Sequence, residues 1–241
     1  MNITGRSGHC AVAVMAKAPR PGEVKTRLVP PLSEADAAVL GGCFIRDIAG
    51  NILAAAETAP IEGYVAYSPA GSEGVFAPLL PDRVRLLPPH RAGLGDSLLD
   101  AAEDLLGAGY GAVCLVNADS PTLPTAVLVE AARALAAPGD RLVLGPAADG
   151  GYYLIGLKHM HRRLFEEIAW STDRVFRQTI ERARELELDT VTLREWYDVD
   201  DVASLRVLVD ELRGPGPAGY AAPYTAACLR RLAADCLVAR L

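Results

Sequence analysis

Four segments carry residue types that could do chemistry together. Lys17, Arg20, Lys25 and Arg27 lie within eleven positions of AKAPRPGEVKTRL, opposed only by Glu23, in a chain of net charge −6. Such cations make charge-assisted hydrogen bonds to phosphate oxygens. The same residues also suit a solvated loop of surface ion pairs. Asn117-Ala118-Asp119-Ser120-Pro121 closes an apolar run. A carboxylate buried there is costly unless a cation or another partner meets it. Mg²⁺ takes one or two protein carboxylates and completes its shell with substrate phosphate oxygens and water. The bland alternative is that Asp119 or Ser120 caps the next helix.

The other two segments are Asp149-Gly150-Gly151 and Tyr197-Asp198-Val199-Asp200-Asp201. The first is a strong turn signal whose glycines serve either the turn or the close approach of a ligand. In the second, Asp198 and Asp200 project to one side of an extended chain. Two such charges side by side call for a cation or a helix N-terminus. An N-cap by Asp200 or Asp201 is the alternative.

The elements that must position these segments alternate strand and helix, the pattern of an α/β protein. His9 to Met15 reads as a buried strand, and the basic loop follows it directly. Ser33, with Asp36 three residues on, opens a long Ala-rich helix towards Thr58, with Gly41 and Gly42 as weak points inside it. Gly63 to Tyr67 and Val84 to Leu87 read as strands, and a helix opens at Asp96 or Ser97. Ala112 to Val116 is the clearest central strand, apolar on both faces, with a helix after it from Pro124 to Ala137. Strands are expected at Arg141 to Leu144, Tyr152 to Leu157 and Thr190 to Leu193. Helices are expected from Thr172 or Asp173 to Leu186 and from Val202 to Leu212. Gly214 to Pro223 is a Gly/Pro-rich break. Beyond it Leu229, Leu232, Ala233, Cys236 and Leu237 share one helical face that packs on the core or on a second subunit. Residues 1–213 therefore read as one core, with 214–241 a linker and terminal helix.

Other classes are excluded. The basic loop carries neither G-x-x-x-x-G-K-[ST] nor G-x-G-x-x-G. The mild acidity argues against nucleic acid. The charge-free stretches 105–118 and 214–229 are too short for a membrane span, and no secretory signal is visible, so a cytoplasmic location is expected. Five cysteines without a C-x-x-C pair read as reduced thiols, Cys10 and Cys114 as core residues. His159 and His161, two apart, would fall on different faces of a helix and offer no metal spacing.

In this order the segments resemble a bacterial transferase family with the fold of the family-A glycosyltransferases, the nucleotide-diphospho-sugar transferase superfamily. More distantly the chain is similar to the 2-phospho-L-lactate guanylyltransferase family, which shares a K-[ST]-R-L segment, here Lys25-Thr26-Arg27-Leu28, and a D-x-P segment. The resemblance covers residues 9 to 210. It implies a three-layer α/β/α sandwich with a mostly parallel sheet and a nucleotide over its carboxyl edge. It further implies phosphate contacts from Lys25 and Arg27, with Lys17 a lesser candidate, and Asn117 and Gly150 beside the nucleotide. Mg²⁺ or Mn²⁺ would be held by Asp119, Asp198 and Asp200, and a second-substrate pocket bordered by Asp149 and Gly150. Relatives more often carry Gly-Thr where this chain has Asn117-Ala118, so how the nucleotide's sugar is held stays open.

Three readings follow. The first is a metal-dependent glycosyltransferase that takes a nucleotide-diphospho-sugar and a small-molecule acceptor, with Asp119, Lys25 and Asp149 at the chemistry, Asp149 as a candidate general base. The second is a nucleotidyltransferase joining a nucleoside triphosphate to a small phosphorylated acid and releasing pyrophosphate. The third is a nucleotide-binding protein without catalysis. A homodimer is compatible with each.

Overall fold

The computed structural model describes residues 6–91, 93–214 and 219–234. Its strands are β1 (Cys10–Lys17), β2 (Ile61–Ser68), β3 (Arg85–Leu87), β4 (Ala112–Asn117), β5 (Arg141–Pro146), β6 (Tyr152–Leu157) and β7 (Asp189–Thr192). They form one sheet in the order β3-β2-β1-β4-β6-β5-β7. β6 runs antiparallel to both its neighbours, β4 and β5, and the remaining pairings are parallel. The carboxyl ends of six strands and the start of β6 therefore share one edge. All four chemistry-bearing segments reach that edge.

The apolar strands are buried on both faces, which is why they read as continuous hydrophobic runs. Along β1, Val12, Val14 and Ala16 face one core with Ile45, Ile48 and Ile52, while Ala11 and Ala13 face another with Leu98, Ala102 and Leu105. The helices that cover these faces are α1 (Glu34–Ala56) and α4 (Thr125–Ala136) on one side, α3 (Leu94–Gly107) and α5 (Val175–Glu185) on the other. This is a mostly parallel seven-stranded sheet between helical layers. A single turn, α2 (Glu73–Phe76), follows β2. Cys10 and Cys114 are small core side chains with sulfurs 3.7 Å apart.

Ser33 caps α1 by accepting from the Asp36 N–H at 3.1 Å. Gly41 and Gly42 do not interrupt the helix, because the basic loop and its neighbours lie against this stretch. A Cβ on either would meet only ordinary contacts, at 3.6 Å from Val24 and 3.7 Å from Pro19. The helix has the length and apolarity of a membrane span, but two thirds of that stretch is buried inside the protein. Strand ends shift by one or two residues, β2 for one running Ile61–Ser68, and two helix starts move. α3 opens at Leu94, before Asp96, and α5 opens at Val175 without a side-chain cap from Thr172 or Asp173. His159 and His161 lie outside any helix, and both reach Asp140, at 3.1 and 2.7 Å.

The chain closes with α6 (Val202–Arg213) and α7 (Pro223–Ala234). Leu229 and Leu232 of α7 pack in one cluster with Leu40 and Phe44 of α1 and with Leu205 and Leu208 of α6. Cys236 and Leu237, expected on the same face, lie outside the described residues. Asp47 of α1, fully buried, accepts the first free N–H groups of α7, from Tyr224 at 3.1 Å and Thr225 at 2.7 Å. Burial pushes its carboxyl above the usual range, and those same donors oppose the shift. Asp47→Ala strands both N–H groups in the interior, so unfolding stability in urea should fall by about 1–3 kcal/mol. An unchanged midpoint would show that α7 is not anchored there.

Candidate functional site

The basic loop after β1 has no regular structure apart from one 3-10 turn at Thr26–Leu28, and buried Leu28 pins it to the cluster of α1 and α6. Lys25 enters that turn with φ 50° and ψ 35°, a left-handed conformation that costs a residue with a Cβ about 1 kcal/mol. The cost is offset where the side chain ends. Its Nζ lies 2.5 Å from Asp119 Oδ1, 2.7 Å from the Val199 carbonyl and 3.1 Å from Asp200 Oδ1. The side chain is only 7% exposed, and the ammonium also sits 5.4 Å from the Phe44 ring centre. A lysine ammonium has three N–H donors. All three are committed to the chain's own oxygens, so Lys25 is an internal counter-ion here.

Asp198 is held differently. Its Oδ1 accepts from Asn117 Nδ2 at 2.7 Å and from Ser120 Oγ at 2.6 Å. The backbone joins the same two segments, with Val199 N–H donating to Asp119 O at 2.8 Å. Asn117, expected at the nucleotide, thus spends its amide on orienting a carboxylate. Burial pushes Asp198 up to about 6, reinforced by the negative Asp119 and Asp149 and opposed by the Ser120 and Asn117 donors. Loss of water likewise raises Asp119, with Lys25 opposing and Asp200 adding to the shift. Over a third of its side chain still meets water. It does not cap α4, which begins after Pro124 with no side-chain cap. Asp201 caps α6 by accepting from Ser204 N–H at 2.8 Å, which leaves Asp198 and Asp200 free for the site.

One oxygen each of Asp149, Asp198 and Asp200 lies within 4.8 Å of the other two, and among the described residues this is the one such group. It takes in two of the three carboxylates expected to hold metal. Asp149, expected beside a second substrate and as a base, supplies the third, while Asp119 stands next to the group, bound to Lys25. The antiparallel β6 is the reason Asp149 arrives: its hairpin with β5 turns at the edge where β4 and β7 end. Gly150 packs the turn against the segment before α5. Its φ is +89°, and a Cβ would lie 2.4 Å from the Asp173 carbonyl oxygen. Its own carbonyl accepts from Phe176 N–H at 3.0 Å.

Next to the acidic group a cleft of about 870 Å³ runs over the ends of β1, β2 and β3 to the start of α3. Lys17, Arg27, Tyr67, Arg91, Asp119 and Asp200 are among its walls. Asp200 thus belongs to both cleft and acidic group. Lys17 and Arg27 are exposed. Lys17 spends one N–H on the Glu23 carbonyl at 3.0 Å, and Arg27 lies near enough to Asp201 to lower its carboxyl. Arg91 is engaged with buried Asp100, through its backbone N–H at 2.9 Å and its Nε at 2.7 Å.

The mostly parallel seven-stranded sheet and its helical layers give this chain a nucleotide-diphospho-sugar transferase-like fold. The structure is similar to a Desulfovibrio desulfuricans protein provisionally designated a nucleotide-diphospho-sugar transferase, with a TM-score of 0.81 and 28% identity over 96% of this chain and 97% of that one. The chain belongs to the DUF2064 family, described as uncharacterised proteins conserved in bacteria, whose profile matches residues 51–172. More distant in fold are CMP:2-keto-3-deoxy-manno-octonic acid synthetase complexed with CTP (TM-score 0.53, 11% identity, covering 83% of this chain and 96% of that one). A 4-diphosphocytidyl-2C-methyl-D-erythritol synthase from Anaerococcus prevotii is comparable (TM-score 0.52, 9% identity, 83% and 96%). No curated protein matches the sequence significantly.

A second support of the site carries no sequence signal. Glu211 of α6 accepts from Thr122 Oγ1 at 2.9 Å and from the Tyr197 hydroxyl, bracing the segments that bear Asp119 and Asp198. Neither spacing nor periodicity marks that contact.

Two outcomes are expected. Gly150→Ala places a Cβ into the Asp173 backbone at a left-handed φ, so the melting temperature should drop clearly, corresponding to a cost on the order of 1–3 kcal/mol. A wild-type melting temperature would remove the packing role. For Asp198 the folded value of about 6 exceeds the unfolded 3.8. The stability this gives the metal-free protein is complete below pH 3.8 and is lost as pH rises through 6, about 3 kcal/mol in all. Asp198→Asn should flatten that part of the stability–pH curve, and an unchanged slope would contradict the assignment.

Proposed function

We propose that this protein is a metal-dependent transferase that binds a nucleotide-diphospho-sugar in the cleft and passes the glycosyl group to a small-molecule acceptor. The observation that carries the reading is the Asp149, Asp198 and Asp200 group, set at the end of a cleft walled by the cations Lys17 and Arg27. Three carboxylate oxygens are the hard donors that Mg²⁺ or Mn²⁺ prefers, and their spacing suits one ion. Like charges this close also need a cation to sit together.

When bound, the ion would neutralise charge on the departing diphosphate and act as a Lewis acid. The chain supplies the rest. Asn117 and Ser120 aim Asp198, and Lys25 fixes Asp200 on the side of the cleft. Lys17 and Arg27 meet phosphate oxygens at the cleft wall. Pro88, His90, Arg91 and Gly93, before α3, also line the cleft, and the shape of that wall selects the base.

The Lys25-Thr26-Arg27-Leu28 segment favours a second reading, in which the cleft takes a nucleoside triphosphate, a small phosphorylated acid attacks it, and pyrophosphate leaves. The two differ in product. Incubation with Mn²⁺, a panel of sugar nucleotides and acceptors should release nucleoside diphosphate, and Asp200→Asn should cut the rate at least about 100-fold, a transition-state loss near 2.7 kcal/mol. Pyrophosphate from a triphosphate and a phosphorylated acid, with no diphosphate from any sugar nucleotide, would select the second reading. Nucleotide binding with neither product would leave a binding protein.

A further inference from the structure

Lys25 ends where a cation is needed, and the fold fixes it there strongly. Its ammonium lies between Asp119 and Asp200 and its third donor is taken by the Val199 carbonyl. The side chain is almost fully enclosed, and a left-handed backbone points it inward. Four carboxylates meet at this end of the cleft: Asp119 and Asp200 on the ammonium, and Asp149 and Asp198 grouped with Asp200. One fixed ammonium and one divalent ion bring those four negative charges to −1. Paired divalent ions in enzyme sites sit about 3.5–4 Å apart and share carboxylates. Asp200 is the shared carboxylate here, and the lysine occupies the second cation position.

We propose that Lys25 is a positioning residue, a resident cation between Asp119 and Asp200 that restricts the acidic group to one divalent ion. This rests on Asp149, Asp198 and Asp200 being an ion site. The consequence is a division of labour within the basic loop. Lys25 holds carboxylates, and contact with phosphate falls to Lys17 and Arg27, which have N–H groups to spare. A tethered ammonium also cannot be diluted away, so Asp119 and Asp200 keep their places before any ligand arrives.

The test counts Mn²⁺ on the full chain without nucleotide, by the loss of the free-ion electron paramagnetic resonance signal. Wild type should bind one ion, and Lys25→Met should bind two, because Asp119 and Asp200 are released together. Lys25→Arg keeps the charge and should stay at one, as should Asp119→Asn, whereas Asp149→Asn should lose the ion. Two ions on wild type, or a single ion on folded Lys25→Met, overturns the proposal while leaving the ion site standing. No ion on wild type overturns the ion site and the proposal with it. Circular dichroism checks that each variant is folded. Should Lys25→Met not fold, the wild-type count and Lys25→Arg decide.

Discussion

Carboxylates crowded at a half-buried edge need a countercharge, and that requirement organises the working edge of this molecule. The Lys25 ammonium meets it for Asp119 and Asp200 and, through the Val199 carbonyl, ties together loops that follow β1, β4 and β7. Removing one partner from such an arrangement leaves the other charges uncompensated, which costs far more than an exposed ion pair is worth. The left-handed backbone at Lys25 is tolerated because three acceptors fix the side chain. The remaining carboxylates, Asp149 and Asp198, have no such cation among the described residues, and burial raises the proton affinity of Asp198. The acidic group is therefore half-neutralised by the fold and half left for a ligand.

The sheet makes this meeting possible. Parallel strands deliver their carboxyl ends to one edge, where ligands of open α/β folds bind. A purely parallel sheet would send the chain after β5 away through a crossover. Reversing β6 keeps it at the edge through a tight hairpin, and that hairpin carries Asp149. The turn is packed by Gly150 against the segment before α5, so its position is set by backbone contact rather than by the charges it presents. Glu211, Thr122 and Tyr197 do the same work behind Asp198, from a helix whose other face belongs to the core.

Much of this was legible in the sequence because it rests on short-range rules. Apolar runs with β-branched residues gave the buried strands, and Ser33 with Asp36 gave the start of α1. The basic and acidic segments stood out because charge at a strand end is expensive without a purpose. Pairings across the fold were not legible. That Lys25 bonds Asp119 and Asp200, more than 90 residues away, follows from where β1 lies between β2 and β4. Asn117 reads as a ligand contact and orients Asp198 instead. Gly150 reads equally as a turn or a ligand glycine, and its packing against Asp173 is visible only in the fold. Glu211 is indistinguishable in sequence from any solvated helix residue.

The central claim is that the three-carboxylate group holds a divalent ion in reach of a diphosphate lying in the cleft. Mn²⁺ bound to the protein with a nucleoside diphosphate tests it through the hyperfine coupling between the metal's electrons and phosphorus. The account predicts phosphorus coupling in the wild type and its disappearance in Asp198→Asn. Bound Mn²⁺ with no phosphorus coupling, or a coupling untouched by Asp198→Asn, would contradict it.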